Sequence, residues 1–281
     1  MILITGATGN VGRELVQQLL DAGEAVRVFT RDESKVAHLG QRVERAVGNL
    51  DQPETIEAAL QGVDRLFLNT GGFGTQQDEN AITAAKRAGV QQIVKLSTFG
   101  AGQPTHAIDR WHQAKEQVLL DSGIGWTMLR PGQFMSNMLQ WAGMIKGQGT
   151  VYAPSGEGKV APIDPYDIAG VAAVALTKPG HVGKAYQLTG PELLTAGEEV
   201  QILSRLLGKP LQYVDIPASV AADRMRQNGM PPVLVDALTE LSLMLQKGEG
   251  AYHTDTVEQV TGRPARTFET WCRLHLAAFQ S

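Results

Sequence analysis

The chain has 281 residues, 43% of them hydrophobic and 19% charged, with a formal net charge of −4. That length and apolar content suit one large α/β domain, or such a domain with a smaller lobe, built around a substantial core. No basic block or stripe is present, which argues against nucleic acid as a partner. No apolar run reaches the length of a bilayer span, so no membrane partner is expected. Met1 leads directly into an apolar run without a basic segment before it, and a cytoplasmic protein is expected. The single cysteine, Cys272, excludes an intramolecular disulfide. Its surroundings, TFETWCRLHLAAF, read as an amphipathic helix with a packed core thiol. No Cys/His cluster has metal-ligand spacing, so no metal is expected.

Up to residue 130 short apolar runs alternate with helical patterns. The strands ILIT, AVRVFT, VERAV, RLFLNT, QIVKLST and GWTMLR are separated by helical stretches such as VGRELVQQLLDAG, ETIEAAL, ENAITAAKRAG and DRWHQAKEQVLLDSG. A βα unit recurs about every 20 to 30 residues. With strands rich in Val, Ile and Leu, this predicts a doubly wound parallel sheet covered by helices on both faces. Past residue 131 the rhythm loosens. Strands are expected at GTVYA, KVAPI, AYQLTG and LQYVDI, and helices at PYDIAGVAAVALTK, TAGEEVQILSRLLGK and PPVLVDALTELSLMLQKG. Thr195 and Glu198 have capping-box spacing, and Gly208 is placed to end that helix. The expected organisation is a dinucleotide-binding Rossmann domain over residues 1–150 and a smaller α/β lobe, mainly for substrate, over residues 151–281, packed as one unit with a cleft between. The segment MRQNGMPPVLV reads as a lid hinged at Gly229.

Between the first strand and the first helix lies Gly6-Ala7-Thr8-Gly9-Asn10-Val11-Gly12. The first glycine permits a tight turn out of the strand, the second lets a phosphate approach the backbone, and the third lets the helix pack close to the sheet. Unclaimed N–H groups and the positive end of the helix then hold a pyrophosphate. An NAD site usually carries Asp or Glu at the end of the second strand. Here that end reads Thr30-Arg31, with Lys35 one helical turn on. A guanidinium there suits a 2′-phosphate, so NADPH is favoured over NADH. The neighbouring Asp32 is assigned to capping the stretch ESKVAHL. Ligands of such sheets sit at the carboxyl ends of the strands, which adds Asn49, then Asn69, Thr70 and Gly71, then Ser97 and Thr98 as cofactor contacts.

GATGNVG, TRD after the second strand, WTMLRPGQFMSNM, PIDPYDIAGVAA, AYQLTGPELLT and VTGRPARTFETW together resemble the NmrA-like group of atypical short-chain dehydrogenases. The stretches run from residue 1 to about residue 275. Within the group the chain is most similar to the flavin-independent NADPH azoreductases, the triphenylmethane dye reductases and the type 2 quinone reductases. The resemblance implies a doubly wound sheet with a small α/β lobe, NADPH as hydride donor without flavin, and a small aromatic acceptor. Some members of the group bind dinucleotide as sensors and catalyse nothing, which leaves a non-catalytic regulator as an alternative.

Short-chain dehydrogenases generally use a Tyr-x-x-x-Lys pair on the helix after the fifth strand. The helix here reads His106-Ala107-Ile108-Asp109-Arg110-Trp111-His112-Gln113-Ala114-Lys115-Glu116. Two registers align with the pair, Trp111-x-x-x-Lys115 and Ile108-x-x-x-His112, and neither supplies a tyrosine. His112 and Lys115 share a helix face with Ile108 and Glu116 and are the catalytic candidates. A quinone, or the hydrazone form of a hydroxy-azo dye, accepts hydride readily and needs no strong protein acid, so binding, orientation and exclusion of water carry the chemistry. An apolar pocket for the acceptor is expected from Phe73, Phe99, Phe134, Met135, Met138 and Trp141.

Overall fold

The computed structural model describes residues 1–280, and the chain divides into two compact units. The first comprises Met1–Pro131, Pro165–Leu188 and Thr256–Arg263. Its core is a seven-stranded, wholly parallel sheet in the order β3-β2-β1-β4-β5-β6-β9. The strands are β1 (Ile2–Thr5), β2 (Val26–Thr30), β3 (Glu44–Val47), β4 (Arg65–Leu68), β5 (Gln92–Leu96), β6 (Gly125–Pro131) and β9 (Lys184–Leu188). Helices α1 (Asn10–Asp21), α2 (Pro53–Ala59), α3 (Gln76–Ala88), α4 (Ala107–Asp121), α6 (Pro165–Thr177) and α10 (Thr256–Thr261) belong to the same unit. This is the doubly wound α/β class that the βα rhythm predicts.

Alternation along the strands feeds both faces of the sheet. Leu3, Leu66, Leu68 and Ile93 enter the core formed with Ile56, Ala59, Ala81 and Leu119 of α2, α3 and α4. On the other side α1 packs along α6, and Gln18 Nε2 donates to the Tyr166 carbonyl at 2.9 Å. β1, central in the sheet, is buried along its whole length. The strand AYQLTG, expected in the smaller lobe, instead closes the main sheet as β9, parallel to β6. Helix α6 supplies the crossover such a parallel return needs.

The second unit comprises Gly132–Asp164, Thr189–Asp255 and Pro264–Ser281. It holds a parallel pair, β7 (Thr150–Ala153) with β11 (Gln212–Asp215), and an antiparallel pair, β8 (Lys159–Val160) with β10 (Leu194–Thr195). Its helices are α5 (Ala142–Gln148), α7 (Ala196–Leu207), α8 (Ala218–Gln227), α9 (Pro232–Gln246) and α11 (Phe268–Leu274). The capping box at Thr195 and Glu198 is formed, and Gly208 ends α7 with φ +65°. Cys272 is fully buried beside Phe268 and Trp271, and burial pushes its thiol up to about 12. It is a packed core thiol. The helix expected around it stops at Leu274 and resumes as a 3-10 turn over Leu276–Phe279. Gly229 joins α8 to α9 with φ +77°. No helix among the described residues is long and apolar enough to cross a membrane.

Among the ion pairs of the first unit, one has both side chains fully withdrawn from solvent. Lys95 of β5, fully buried, pairs with Asp78 of α3, also fully buried. The second oxygen of Asp78 accepts from the Thr70 hydroxyl at 2.9 Å. Removing one partner of such a pair leaves the other charge buried and alone, which costs about 3–5 kcal/mol. Asp78→Leu is therefore expected to lower unfolding stability in urea by about that amount, while the double variant Asp78→Leu/Lys95→Met recovers most of the loss. Equal instability of the single and double variants would show that the two charges do not act as a pair.

Candidate functional site

The sheet order reverses between β1 and β4, and ligands of such folds bind at that switch point. The Thr5 hydroxyl fastens the two strand ends together. It donates to the Asn69 carbonyl at 3.0 Å and accepts from the Asn69 N–H at 2.8 Å. Above this clasp lies a cavity of about 330 Å³. Gly6, Thr8, Arg31, Lys35, Asn69, Thr70 and Gly71, all predicted from the sequence, line it. Asn49 does not: its Oδ1 accepts from the Asp51 N–H at 3.2 Å, and Leu50 lines the cavity instead. Gly48, beside Asn49 at the end of β3, lines it as a strand-end residue is expected to, and Phe29 and Gln77 line it without having been anticipated. Phe29 lies inside a strand pattern that reads as core, and only the register of β2 against β3 brings it to the rim.

The glycine loop has the shape its spacing implies. Gly6 takes φ +66°, and the Gly9 N–H donates back to its carbonyl at 2.9 Å. A Cβ on Gly12 would stand 2.2 Å from that same carbonyl oxygen, so only glycine fits where α1 crosses the turn. Helix α1 starts at Asn10 without a side-chain cap and without an acidic residue in its first turn. Val11, in that first turn, is buried. A close-packed turn leading into an uncapped helix end fits a dinucleotide pyrophosphate.

At the end of β2 the charges sort themselves. Asp32 caps the following 3-10 stretch, its Oδ1 accepting from the Ser34 N–H at 3.0 Å and the Ser34 hydroxyl at 2.6 Å. Those bonds, with the Lys35 charge in support, hold its carboxyl below the usual range. Arg31 is exposed at the rim with no hydrogen bond or ion pair among the described residues. A free guanidinium beside a carboxylate already committed to a cap suits a 2′-phosphate better than a ribose hydroxyl.

The candidates on α4 occupy its inward side. Lys115 is buried, and its Nζ donates to the carbonyls of Gly72 at 2.9 Å and Gly71 at 3.3 Å. Burial lowers its pKa, with Lys95 adding to that and Asp78 opposing it. His112 has an Nδ1 sealed from solvent and without a partner among the described residues. Burial, together with the charges of Lys115 and Lys95, lowers its pKa to about 4, so the ring is neutral at pH 7. Ser97 is buried at the end of β5 and donates to Glu116 Oε1 at 2.5 Å. Arg130 completes that group with bonds of 3.0 and 2.6 Å to the two Glu116 oxygens. Thr98 follows at the strand end, half-buried.

The expected pocket residues separate. Phe134, Met138 and Trp141 line one cavity of about 500 Å³ inside the second unit, together with Met135. Phe73 belongs to the first unit, where its ring packs on Trp111 at 4.7 Å, and Phe99 there opens a short 3-10 turn. Among the described residues no group of three or more His, Cys, Asp or Glu could hold a metal ion.

Comparison with known proteins agrees with this geometry. A family model described as NAD(P)H-binding matches residues 6–179. The chain is 43% identical to an NAD(P)H azoreductase of Xenophilus azovorans over 99% of both chains. It is 41% identical to a (4-alkanoyl-5-oxo-2,5-dihydrofuran-3-yl)methyl phosphate reductase of Streptomyces griseus, again over 99% of both. Among solved structures, an NADPH-dependent quinone oxidoreductase of Escherichia coli in complex with NADPH superposes with a TM-score of 0.88 at 29% identity, covering 98% of this chain and 100% of that one. A triphenylmethane reductase of Citrobacter sp. gives 0.84 at 26% identity, covering 97% and 98%. The glycine turn, the uncapped helix and the sheet around them are those of the NAD(P)H-binding family, to which this chain belongs as an NmrA-like NAD(P)H-dependent oxidoreductase.

Proposed function

We propose that the protein is an NADPH-dependent reductase of electron-poor aromatic acceptors, with hydroxy-azo compounds as its leading substrate class and quinones as the alternative. The observation that carries this reading is the cavity of the second unit, about 500 Å³, walled by Phe134, Met138 and Trp141. Apolar and aromatic walls of that size suit a flat ring system. The similarity to an azoreductase and a quinone reductase supports the same class. Bound NADPH supplies the hydride.

The residues around the strand ends contribute binding and order. Ser97 and Lys115 spend their hydrogen bonds inside the protein, on Glu116 and on the carbonyls of Gly71 and Gly72. Neither is poised as a proton donor. His112 remains, as a neutral imidazole whose pKa near 4 makes the imidazolium scarce at pH 7. A strong general acid contributes about 10²–10⁴-fold to a rate, and none of these three side chains is one. An acceptor that spreads the incoming charge over conjugated oxygen and nitrogen suits such a site.

The first test is NADPH oxidation by purified, flavin-free protein with a panel of hydroxy-azo dyes and simple quinones, followed optically. Acceptor loss matched to NADPH loss is expected. NADPH bound without reduction of any panel member would overturn the reading. Arg31 decides the cofactor: Arg31→Ala is expected to raise the KM for NADPH about 10- to 100-fold, the worth of a charge-assisted contact, and to leave that for NADH within about threefold. Equal losses for both cofactors would place Arg31 away from the 2′-phosphate. His112→Ala is expected to lower kcat by less than about tenfold, and the wild-type kcat profile is expected to show no inflection near 6.5. A loss of a hundredfold or more with NADPH binding intact would make His112 the proton donor.

A further inference from the structure

Glu199 is a buried titratable side chain of the second unit that nothing so far uses. It stands in the first turn of α7, 3% exposed, next to Val200 and in reach of the buried Cys272. Its Oε1 is sealed from solvent with no hydrogen-bond partner among the described residues, and no cation pairs with the carboxyl there. The same residue lines the 500 Å³ cavity that holds Phe134, Met138 and Trp141. An unpaired buried polar atom costs about 1–3 kcal/mol, and native interiors contain few of them. Glu199 itself lines the cavity, so a rotation of its carboxyl offers that oxygen to a ligand entering there.

The environment specifies the ligand's polar atom. Burial alone raises the Glu199 pKa to about 8, so at neutral pH the group is mainly the uncharged acid. Such a group offers one O–H donor and one carbonyl acceptor. Its donor needs an acceptor on the ligand. A cationic ligand is disfavoured, because the guanidinium of Arg224, lying over the Tyr152 ring at 5.4 Å, lines the same cavity. The other walls mix apolar and aromatic side chains with the polar Gln133, Asn137, Gln140, Ser155, Asn228 and Ser242. A flat ligand without positive charge, carrying an oxygen directly on its ring, satisfies these conditions.

We propose that the Glu199 carboxyl is the specificity-determining group of this cavity and that it hydrogen-bonds a ring oxygen of the aromatic acceptor, such as a quinone carbonyl or the oxygen of a hydroxy-azo compound. The inference rests on the reading of that cavity as the acceptor site and adds which atom of the acceptor is recognised. It concerns binding, and it needs no turnover to be tested.

The test is calorimetric titration of the full chain, without NADPH, by 1,4-naphthoquinone and by 1,4-dimethylnaphthalene, which has methyl groups in place of the two oxygens. The wild type is expected to bind the quinone about tenfold more tightly, the worth of one buried hydrogen bond. Glu199→Leu is expected to weaken quinone binding about tenfold and to leave the hydrocarbon unchanged or tighter. Glu199→Met, of similar length, is the second apolar variant should the first fail to fold, with the same expectation. Glu199→Gln, which keeps an N–H donor, is expected to remain within about threefold of the wild type. Equal weakening of both probes by the apolar variants would reduce Glu199 to packing and overturn the proposal. So would a wild type with no preference for the quinone. NADPH oxidation measured on the same preparations separates the two readings. A wild type that discriminates the probes through Glu199 but oxidises no NADPH sinks the reductase reading alone. A wild type that reduces naphthoquinone with a KM that Glu199→Leu does not move sinks the Glu199 proposal alone.

Discussion

The ion pair between Lys95 and Asp78 fixes the part of the first unit on which the site depends. It joins the middle of β5 to the first turn of α3 with both groups removed from water, where an unpaired charge is far more costly than at a surface. Asp78 also takes the hydroxyl of Thr70, and Lys115 reaches over from α4 to the carbonyls of Gly71 and Gly72. The loop after β4 is thus gripped from α3 and α4. Thr5 adds the tie to the end of β1. A loop of two glycines beside an asparagine and a threonine has little rigidity of its own. Its shape here is imposed by buried charge, and the glycine turn beside it inherits that order through Asn69, which a Cβ on Gly6 would meet at 2.8 Å.

A second set of charges explains why the familiar acid is absent without leaving a hole. Glu116, buried, collects the Ser97 hydroxyl and two guanidinium bonds from Arg130. The serine at the end of β5 is therefore part of a structural knot. It is not held out toward a substrate. Lys115, one position before Glu116, is spent on backbone carbonyls. The side chains at the positions of a proton relay are each satisfied within the protein, and His112 is kept neutral by burial and by two neighbouring ammonium groups. Strand ends in this condition bind and align well and donate protons poorly. The acceptor proposed above, which tolerates negative charge, suits that condition.

Much of this was legible in the sequence, for local reasons. The capping box at Thr195 and the cap at Asp32 are set by neighbours within four residues, the glycine turn lies within seven, and the βα rhythm repeats such local patterns along the chain. Arg31 and Lys35 could be placed because the end of β2 has a fixed position relative to the glycine turn. What escaped was long-range. Asp78, Lys95 and Glu116 sit in patterns where a charged residue ordinarily faces water, and only the packing of α3 and α4 on the sheet shows that these face inward. The strand at Lys184–Leu188 looked like part of a later lobe, because its partner β6 ends more than fifty residues earlier. Phe73 and Phe99 were grouped with Phe134 and Trp141 by residue type, and the backbone carries the two pairs into different units.

The two buried carboxyls, Asp78 and Glu199, make the same residue chemistry serve opposite ends. Asp78 is closed: an ammonium and a hydroxyl take its oxygens, and any ligand would have to displace one of them. Glu199 is open: nearly as deeply buried, it has a bare oxygen and borders a cavity. A helix N-terminus favours a carboxylate there by a few tenths to about 1 kcal/mol. That is too little to offset the loss of water, as the pKa near 8 indicates. If the cavity were only a packing defect, a leucine or methionine at 199 would fill the space without the desolvation cost of a polar group. An acid retained there, uncharged and unpaired, is consistent with a partner that arrives with the ligand. The stability given up in the free protein is returned as discrimination among flat molecules that the apolar walls alone would accept equally well.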